Sequence, residues 1–236
     1  MQIKNSVALV TGANRGLGKA FVQALLDAGA AKVYAAARDP SMVSPMKNVI
    51  AVKLDVTNPA DIHALASKLP DVNILVNNAG ISIRVPDVLD PASHDALRKE
   101  LETNVFGPLG LTQAFAPALA ANGGGAVLNV LSALSWASVT GVETYCASKS
   151  AAWSLTNGLR HALNTQGTQV VALHVGFMDT DMTRNLPVPK ANPNDVARAG
   201  IAGIERGELE VLADAASAQL KQGLSSGVYL QPLARD

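Results

Sequence analysis

Tyr145 and Lys149, four residues apart in Tyr-Cys-Ala-Ser-Lys, are the pair in this 236-residue chain best suited to proton chemistry. Helical residues at i and i+4 share a face, so the ammonium can lie beside the phenol oxygen. A free tyrosine titrates at about 10, and a neighbouring cation favours the phenolate and lowers that value. A phenol tuned in this way can serve as a general acid or base near neutral pH. Y-x-x-x-K is common by chance, and an interfacial tyrosine beside a solvated lysine is the simpler reading of the pair taken alone. Its neighbours reverse that reading.

Ser132 follows the apolar run 126–131, thirteen residues before Tyr145. The run reads as a buried strand, and ligands of open α/β sheets bind outside the carboxyl ends of such strands. Taken singly, a serine there is as readily a turn residue. Near the amino terminus, Val7-Ala-Leu-Val10 leads into Thr-Gly-Ala-Asn-Arg-Gly-Leu-Gly at 11–18, then an amphipathic stretch to about Ala28. A glycine-rich turn between strand and helix lets backbone approach a pyrophosphate and aims the helix amino end at it. The glycines at 12, 16 and 18 depart from G-x-G-x-x-G, which leaves an ordinary strand-to-helix turn open. Asn77-Asn-Ala-Gly80 follows the run 72–76 in the same manner. Asn104 lies in Thr103-Asn-Val-Phe-Gly107, in a helical pattern where a lone asparagine is normally a surface residue or a kink.

In order and spacing these pieces resemble the short-chain dehydrogenase/reductase family from about residue 5 to residue 190. The matching residues are T-G-x-x-x-G-x-G at 11–18, Asp55 after the third strand, N-N-A-G at 77–80, Asn104, Ser132, and Tyr145 with Lys149. The resemblance implies that Tyr145 is the general acid in reduction and the base in oxidation. It implies that Lys149 lowers the tyrosine pKa and hydrogen-bonds a nicotinamide ribose. Ser132 would hold the carbonyl oxygen where negative charge develops, and Asn104 would sit in a helix irregularity and hold a water relay to Lys149. The cofactor would lie on Gly12, Asn14, Arg15, Gly16 and Leu17, with Asp55 and Val56 at the adenine and Asn78, Ala79 and Gly80 lining the cleft. Val175-Gly-Phe-Met-Asp-Thr180 resembles the family's P-G-x-V-x-T stretch, which puts Gly176, the Met178 backbone and Thr180 at the carboxamide. Val175 stands where the family has proline, so the geometry of that loop is left open.

Charge indicates which cofactor. NAD sites place an acidic residue near the end of the second strand, about 20 positions past the glycines. Here that segment is Ala35-Ala-Ala-Arg38, and the first carboxylate, Asp39, reads as part of a turn with Pro40. Arg38 and Arg15 suit a 2′-phosphate, because the guanidinium fork matches phosphate oxygens. NADP(H) is therefore expected, with NAD(H) the alternative if both arginines are only solvated. The resemblance places the substrate beside Trp136, Val139, Phe177 and Met182, under a lid at about 177–190. That lining is apolar and lacks an arginine dedicated to a carboxylate, which favours an uncharged ketone, aldehyde or alcohol. The glycine-rich ending of the family's fatty-acid-synthesis reductases is absent, which weighs against a 3-oxoacyl-carrier-protein substrate. A reading of another class is a nicotinamide-binding regulator with little or no turnover, since fold does not fix function.

Strand-like runs near 6–11, 32–37, 49–54, 73–77, 126–131, 169–174 and 208–213 alternate with helical patterns. Such alternation predicts an α/β fold with a parallel sheet covered on both faces. Together with right-handed crossovers, the resemblance predicts a doubly wound Rossmann fold of seven strands in the order 3-2-1-4-5-6-7. Residues 1–236 are expected to form a single domain. Nineteen basic residues balance nineteen acidic ones, so no basic field invites nucleic acid. No run of about 18 apolar residues could span a membrane, and residues 1–4 enter the first strand without a signal-peptide pattern. A single cysteine, Cys146, and histidines at 63, 94, 161 and 174 without metal-ligand spacing suggest a cytoplasmic enzyme with no catalytic metal. Helical stretches at about 91–119 and 145–163, the second bearing Trp153, are rich in alanine and leucine. In the family these pair with their symmetry mates, so a homodimer or homotetramer is expected.

Overall fold

Every strand predicted from an unbroken apolar run is present in the computed structural model, which describes residues 1–231. The strands are β1 (Val7–Thr11), β2 (Lys32–Ala37), β3 (Val49–Lys53), β4 (Ile74–Asn77), β5 (Ala126–Val130), β6 (Gln169–His174) and β7 (Glu210–Leu212). All pair in parallel in the order β3-β2-β1-β4-β5-β6-β7. This is the expected doubly wound Rossmann sheet. The register aligns Val10 with Ala35 and with Val76, bringing the carboxyl ends of β1, β2 and β4 level. The glycine-rich turn and Asn77-Asn-Ala-Gly80 thus meet at one edge of the sheet.

Alternate residues of each strand feed two cores. On one face Val10, Val33, Val76, Leu128 and Leu173 pack with Phe21 and Leu25 of α1 (Gly16–Asp27) and with Ile201 and Ile204 of α6 (Pro193–Arg206). On the other face Leu9, Leu75, Val127 and Val170 meet Ile62 and Leu65 of α2 (Pro59–Lys68). Leu111 and Phe115 of α4 (Gly107–Ala121) and Leu163 of α5 (Glu143–Leu163) complete that second layer.

Two elements differ from expectation. The helix expected over 91–119 is divided into α3 (Ala92–Leu101) and α4 by one turn of π-helix at Glu102–Phe106, the irregularity that the resemblance implied at Asn104. A π turn carries one extra residue and marks functional positions in many helices. The seventh strand is shorter than the expected 208–213 and runs into α7 (Ala215–Gly223), capped by Asp214, whose side chain accepts from the Ser217 amide at 2.9 Å. Of the expected domain, residues 232–236 lie outside the described residues. No helix among the described residues is long and apolar enough to cross a membrane.

Candidate active site

The glycine-rich turn at 11–18 is built by its neighbours. Gly12 and Gly16 take φ values of 63° and 52°, a left-handed backbone that favours glycine. A side chain on Gly18 would overlap the Gly12 carbonyl, so glycine there lets α1 start tight against β1. Asn78 locks the turn from the next strand: its side-chain amide donates to the Thr11 carbonyl at 2.8 Å. The backbone amides of Asn78 and Ala79 both donate to the Thr11 hydroxyl at 3.0 Å. Asn78 therefore shapes the cleft from behind. A Cβ on Gly12 would lie 3.1 Å from the Ala79 Cα, so only bare backbone fits this cradle. Arg15, the residue before α1, supplies no side-chain cap to the helix, whose first amides can serve an anion. Asn14 sits half-exposed in the same turn, and Leu17 turns its side chain into the core, leaving its backbone alone to meet a ligand.

Arg38 is exposed immediately beyond β2. The Asp39 carboxylate is taken by the amide and hydroxyl of Ser41, at 3.0 and 2.7 Å, where it caps a 3-10 turn over Pro40–Met42. The only acid at this position thus belongs to the turn, as its pairing with Pro40 suggested. Arg15 reaches across to the lid and forms an ion pair with Asp181 at 2.7 Å. Asp55 accepts from the amide and hydroxyl of Thr57, which hold its carboxyl below the usual range. Next to it, the Val56 carbonyl packs where a side chain on Gly107 would stand.

Ser132 is buried at the carboxyl end of β5, and the first half of α5 brings Tyr145 and Lys149 to it. The Ser132 hydroxyl accepts from the Leu134 amide at 3.1 Å and lies beside the Tyr145 phenol. Lys149 is buried, with its Nζ donating to the Val130 carbonyl at 2.8 Å and standing 5.7 Å from the centre of the Tyr145 ring. Burial brings the Lys149 ammonium down to about 8. It pushes the Tyr145 phenol above its ordinary value, against the lowering effect of Ser132. The sequence argument expected Lys149 to lower the tyrosine. In this arrangement the ammonium is committed to Val130, and desolvation of the phenolate outweighs the rest. Tyr145 thus presents its phenol beside Ser132 with the Lys149 ammonium behind its ring.

Asn104 sits in the π turn. Its Oδ1 accepts from the Ile81 amide at 2.9 Å, and its Nδ2 donates to the Ile81 carbonyl and the Ser148 hydroxyl, each at 2.9 Å. Gly80 brings the N-N-A-G segment against both groups: a Cβ there would be 3.2 Å from Asn104 Oδ1 and 3.7 Å from Lys149 Nζ. Between Asn104 and Lys149 lies a chamber of about 20 Å³, lined also by Asn77, Asn129 and Thr156. That is room for one water with several polar partners. Fully buried Glu100 holds the following segment by accepting from the Ile83 amide at 2.7 Å, and burial pushes its carboxyl up.

Of the residues expected at the substrate, Trp136 is buried with Ala133, Ala137 and Leu220, and its ring stacks on His174 with centroids 3.9 Å apart. It forms a wall whose faces are already covered. Val139 is half-buried just before α5, while Phe177 and Met182 are 40% and 53% exposed on the lid. The lid is pinned by a bridge between Met178 and Ala191, and Thr180 approaches Gly16, whose Cβ would be 3.4 Å from the threonine methyl. Gly176 donates its amide to Asp214 at 2.8 Å. Val175 occupies the proline position as a core residue whose carbonyl accepts from the Ala133 amide at 2.9 Å. Sequence reasoning missed His174, Glu210 and Lys221 behind Ser132, and the buried chain from Asn77 through Asn129 to Thr156 at 2.8 and 2.9 Å. The one signal for His174 was its place at a strand's carboxyl end, just before the Val175 loop.

The comparisons agree with this geometry. A family model described as short chain dehydrogenase matches residues 6–190. A Schizosaccharomyces pombe protein named NADP-dependent 3-hydroxy acid dehydrogenase is 28% identical over 254 residues, covering 97% of this chain and 98% of that one. A 3-oxoacyl-[acyl-carrier-protein] reductase of Salmonella typhimurium is 30% identical over 228 residues, covering 92% and 89%. Among solved structures, a short chain dehydrogenase from Burkholderia cenocepacia J2315 in complex with NADP superposes with a TM-score of 0.91. It is 40% identical and covers 96% of this chain and 95% of its own.

Proposed function

The chain belongs to the short-chain dehydrogenase family, and on that premise we propose that it is an NADP(H)-dependent oxidoreductase interconverting an uncharged ketone or aldehyde and its alcohol. The observation that carries the proposal is the meeting of buried Ser132 and Lys149 with half-buried Tyr145 beside a glycine cradle lined by bare backbone. When bound, the nicotinamide supplies the hydride in reduction and accepts it in oxidation. The Ser132 hydroxyl would donate to the substrate oxygen as negative charge develops, a kind of contact worth about 3 kcal/mol. Tyr145 would give that oxygen its proton. The resulting phenolate would be stabilised by the Lys149 ammonium, whose attraction is strong because both groups are desolvated. The chamber between Asn104 and Lys149 would hold the water that returns the proton.

The cofactor reading rests on Arg38 standing free beyond β2 while Asp39 is engaged with Ser41. Both Ser41 bonds fall on Asp39 Oδ1 and tie that carboxylate to the turn after β2, and the Arg38 guanidinium suits a 2′-phosphate. Arg15 would join it by exchanging Asp181 for the phosphate. Trp136, Val139, Phe177 and Met182 would give an apolar substrate pocket. Residues 1–236 would act as one domain with a lid at about 177–190. A panel of ketones and aldehydes with NADPH and with NADH, followed by the absorbance of the reduced nicotinamide, tests the proposal. Turnover with NADPH preferred is expected. Tight NADPH binding with no carbonyl reduced or alcohol oxidised would favour the regulator instead.

A further inference from the structure

His174, at the carboxyl end of β6, is fully buried directly behind Ser132 and has no part in the chemistry above. Its Nδ1 lies 3.0 Å from the Ser132 carbonyl oxygen. A carbonyl only accepts, so this nitrogen must carry a proton. Nε2 faces Glu210 Oε1 at 3.5 Å, within ion-pair distance and longer than a formed hydrogen bond. The two Glu210 oxygens are held by Lys221 of α7 at 3.0 and 2.9 Å. His174 first and Lys221 second keep the Glu210 carboxyl down at about 2, so it faces the ring as a carboxylate. One ring face stacks on Trp136, and Trp136 meets Trp153 edge-on at 6.3 Å with the Lys221 ammonium 4.8 Å above it. Contacts from β7, α7 and the turn after β5 therefore fix both the tilt and the rotation of one imidazole.

We propose that His174 is a positioning residue for Ser132. Its Nδ1–H anchors the Ser132 carbonyl, and its stacked face anchors Trp136 in the following turn, so that the Ser132 hydroxyl stays turned toward Tyr145. As an acceptor the hydroxyl is held by the Leu134 amide at 3.1 Å, but as a donor it is held loosely, reaching the Val175 carbonyl only at 3.5 Å. Glu210 and Lys221 keep the ring from rotating. The inference rests on the reading of Ser132 as donor to the substrate oxygen.

Two measurements test it. Nitrogen-15 NMR of the imidazole in the cofactor-free protein reads which ring nitrogen is protonated; a proton on Nδ1 is expected. Kinetics of His174→Phe, which keeps the stacking and loses both polar contacts, should show kcat lower by roughly tenfold. The KM for NADPH should stay within about twofold, because the loss falls on the chemical step. His174→Asn, whose amide can donate near the Nδ1 position, should recover most of the rate. Should the Phe variant not fold, Glu210→Gln carries the kinetic arm with a smaller drop of about threefold. An unprotonated Nδ1, or a folded variant that melts lower yet keeps wild-type kcat, would overturn the proposal. A wild type that reduces no carbonyl would overturn the reading of Ser132, and the NMR result would stand apart from it.

Discussion

At the residue scale the decisive feature is a buried cation behind a half-buried phenol. The sequence placed Lys149 and Tyr145 on one helix face, but whether the charge tunes the phenol or simply suffers burial depends on the Val130 carbonyl, which spacing cannot supply. A buried ammonium costs stability, and the sign follows from linkage. The Lys149 pKa falls from 10.5 to about 8 on folding, so between those values the unfolded chain holds more protons. Stability should therefore rise with pH from about 8 to 10.5, while below about 8 the cost is fully present. Lys149→Met in the cofactor-free protein should thus be more stable at neutral pH by on the order of 1–3 kcal/mol. It should lose the rise in stability at alkaline pH and almost all turnover. Denaturant melts at neutral and alkaline pH check this, and a Met variant less stable than wild type at neutral pH would refute it.

At the scale of elements, the central strands were legible because parallel strands buried on both faces are written as unbroken apolar runs, while the outer β3 and β7, partly exposed, were legible from their alternation with helical patterns. The glycine turn was legible because close backbone approach admits only glycine. The break at Glu102–Phe106 was legible only through the resemblance, which put Asn104 in a helix irregularity; the bonds of Asn104 to Ile81 and Ser148, residues distant in sequence, were not legible. The same holds for the chain from Asn77 to Thr156 and for the contacts of His174: which side chains meet depends on strand order and register. The loop after β2 makes a prediction of its own. Asp39 is engaged and Arg38 is free, so Ala37→Asp with Arg38→Ala should move preference from NADPH toward NADH. The new carboxylate attracts a ribose hydroxyl and repels a phosphate. Loss of one charge-assisted bond, about 1.5–3 kcal/mol, corresponds to roughly one to two decades in NADPH affinity. Residual binding through Arg15 is expected. The ratio of kcat/KM values for the two cofactors is the readout, and an unchanged ratio would make Arg38 a surface residue.

At the scale of the whole molecule, one sheet brings the glycine-rich turn, Ser132 and the Val175–Thr180 loop to the carboxyl ends of its strands. The expected homo-oligomer fits the apolar surface left at Phe106 and Leu155, 53% and 36% exposed. Trp153, carried by α5, meets Trp136 edge-on. Light scattering should find a dimer or tetramer at micromolar protein, and Phe106→Glu should dissociate it; a stable wild-type monomer would refute the assembly. The central claim is that Tyr145 transfers the proton in an NADPH-linked reduction, and its most direct test is Tyr145→Phe, which keeps the ring and deletes only that proton. With whichever carbonyl the wild type reduces fastest, turnover should fall by about 10²–10⁴-fold while the Kd for NADPH is unchanged. A folded Phe variant that retains substantial turnover would contradict the account.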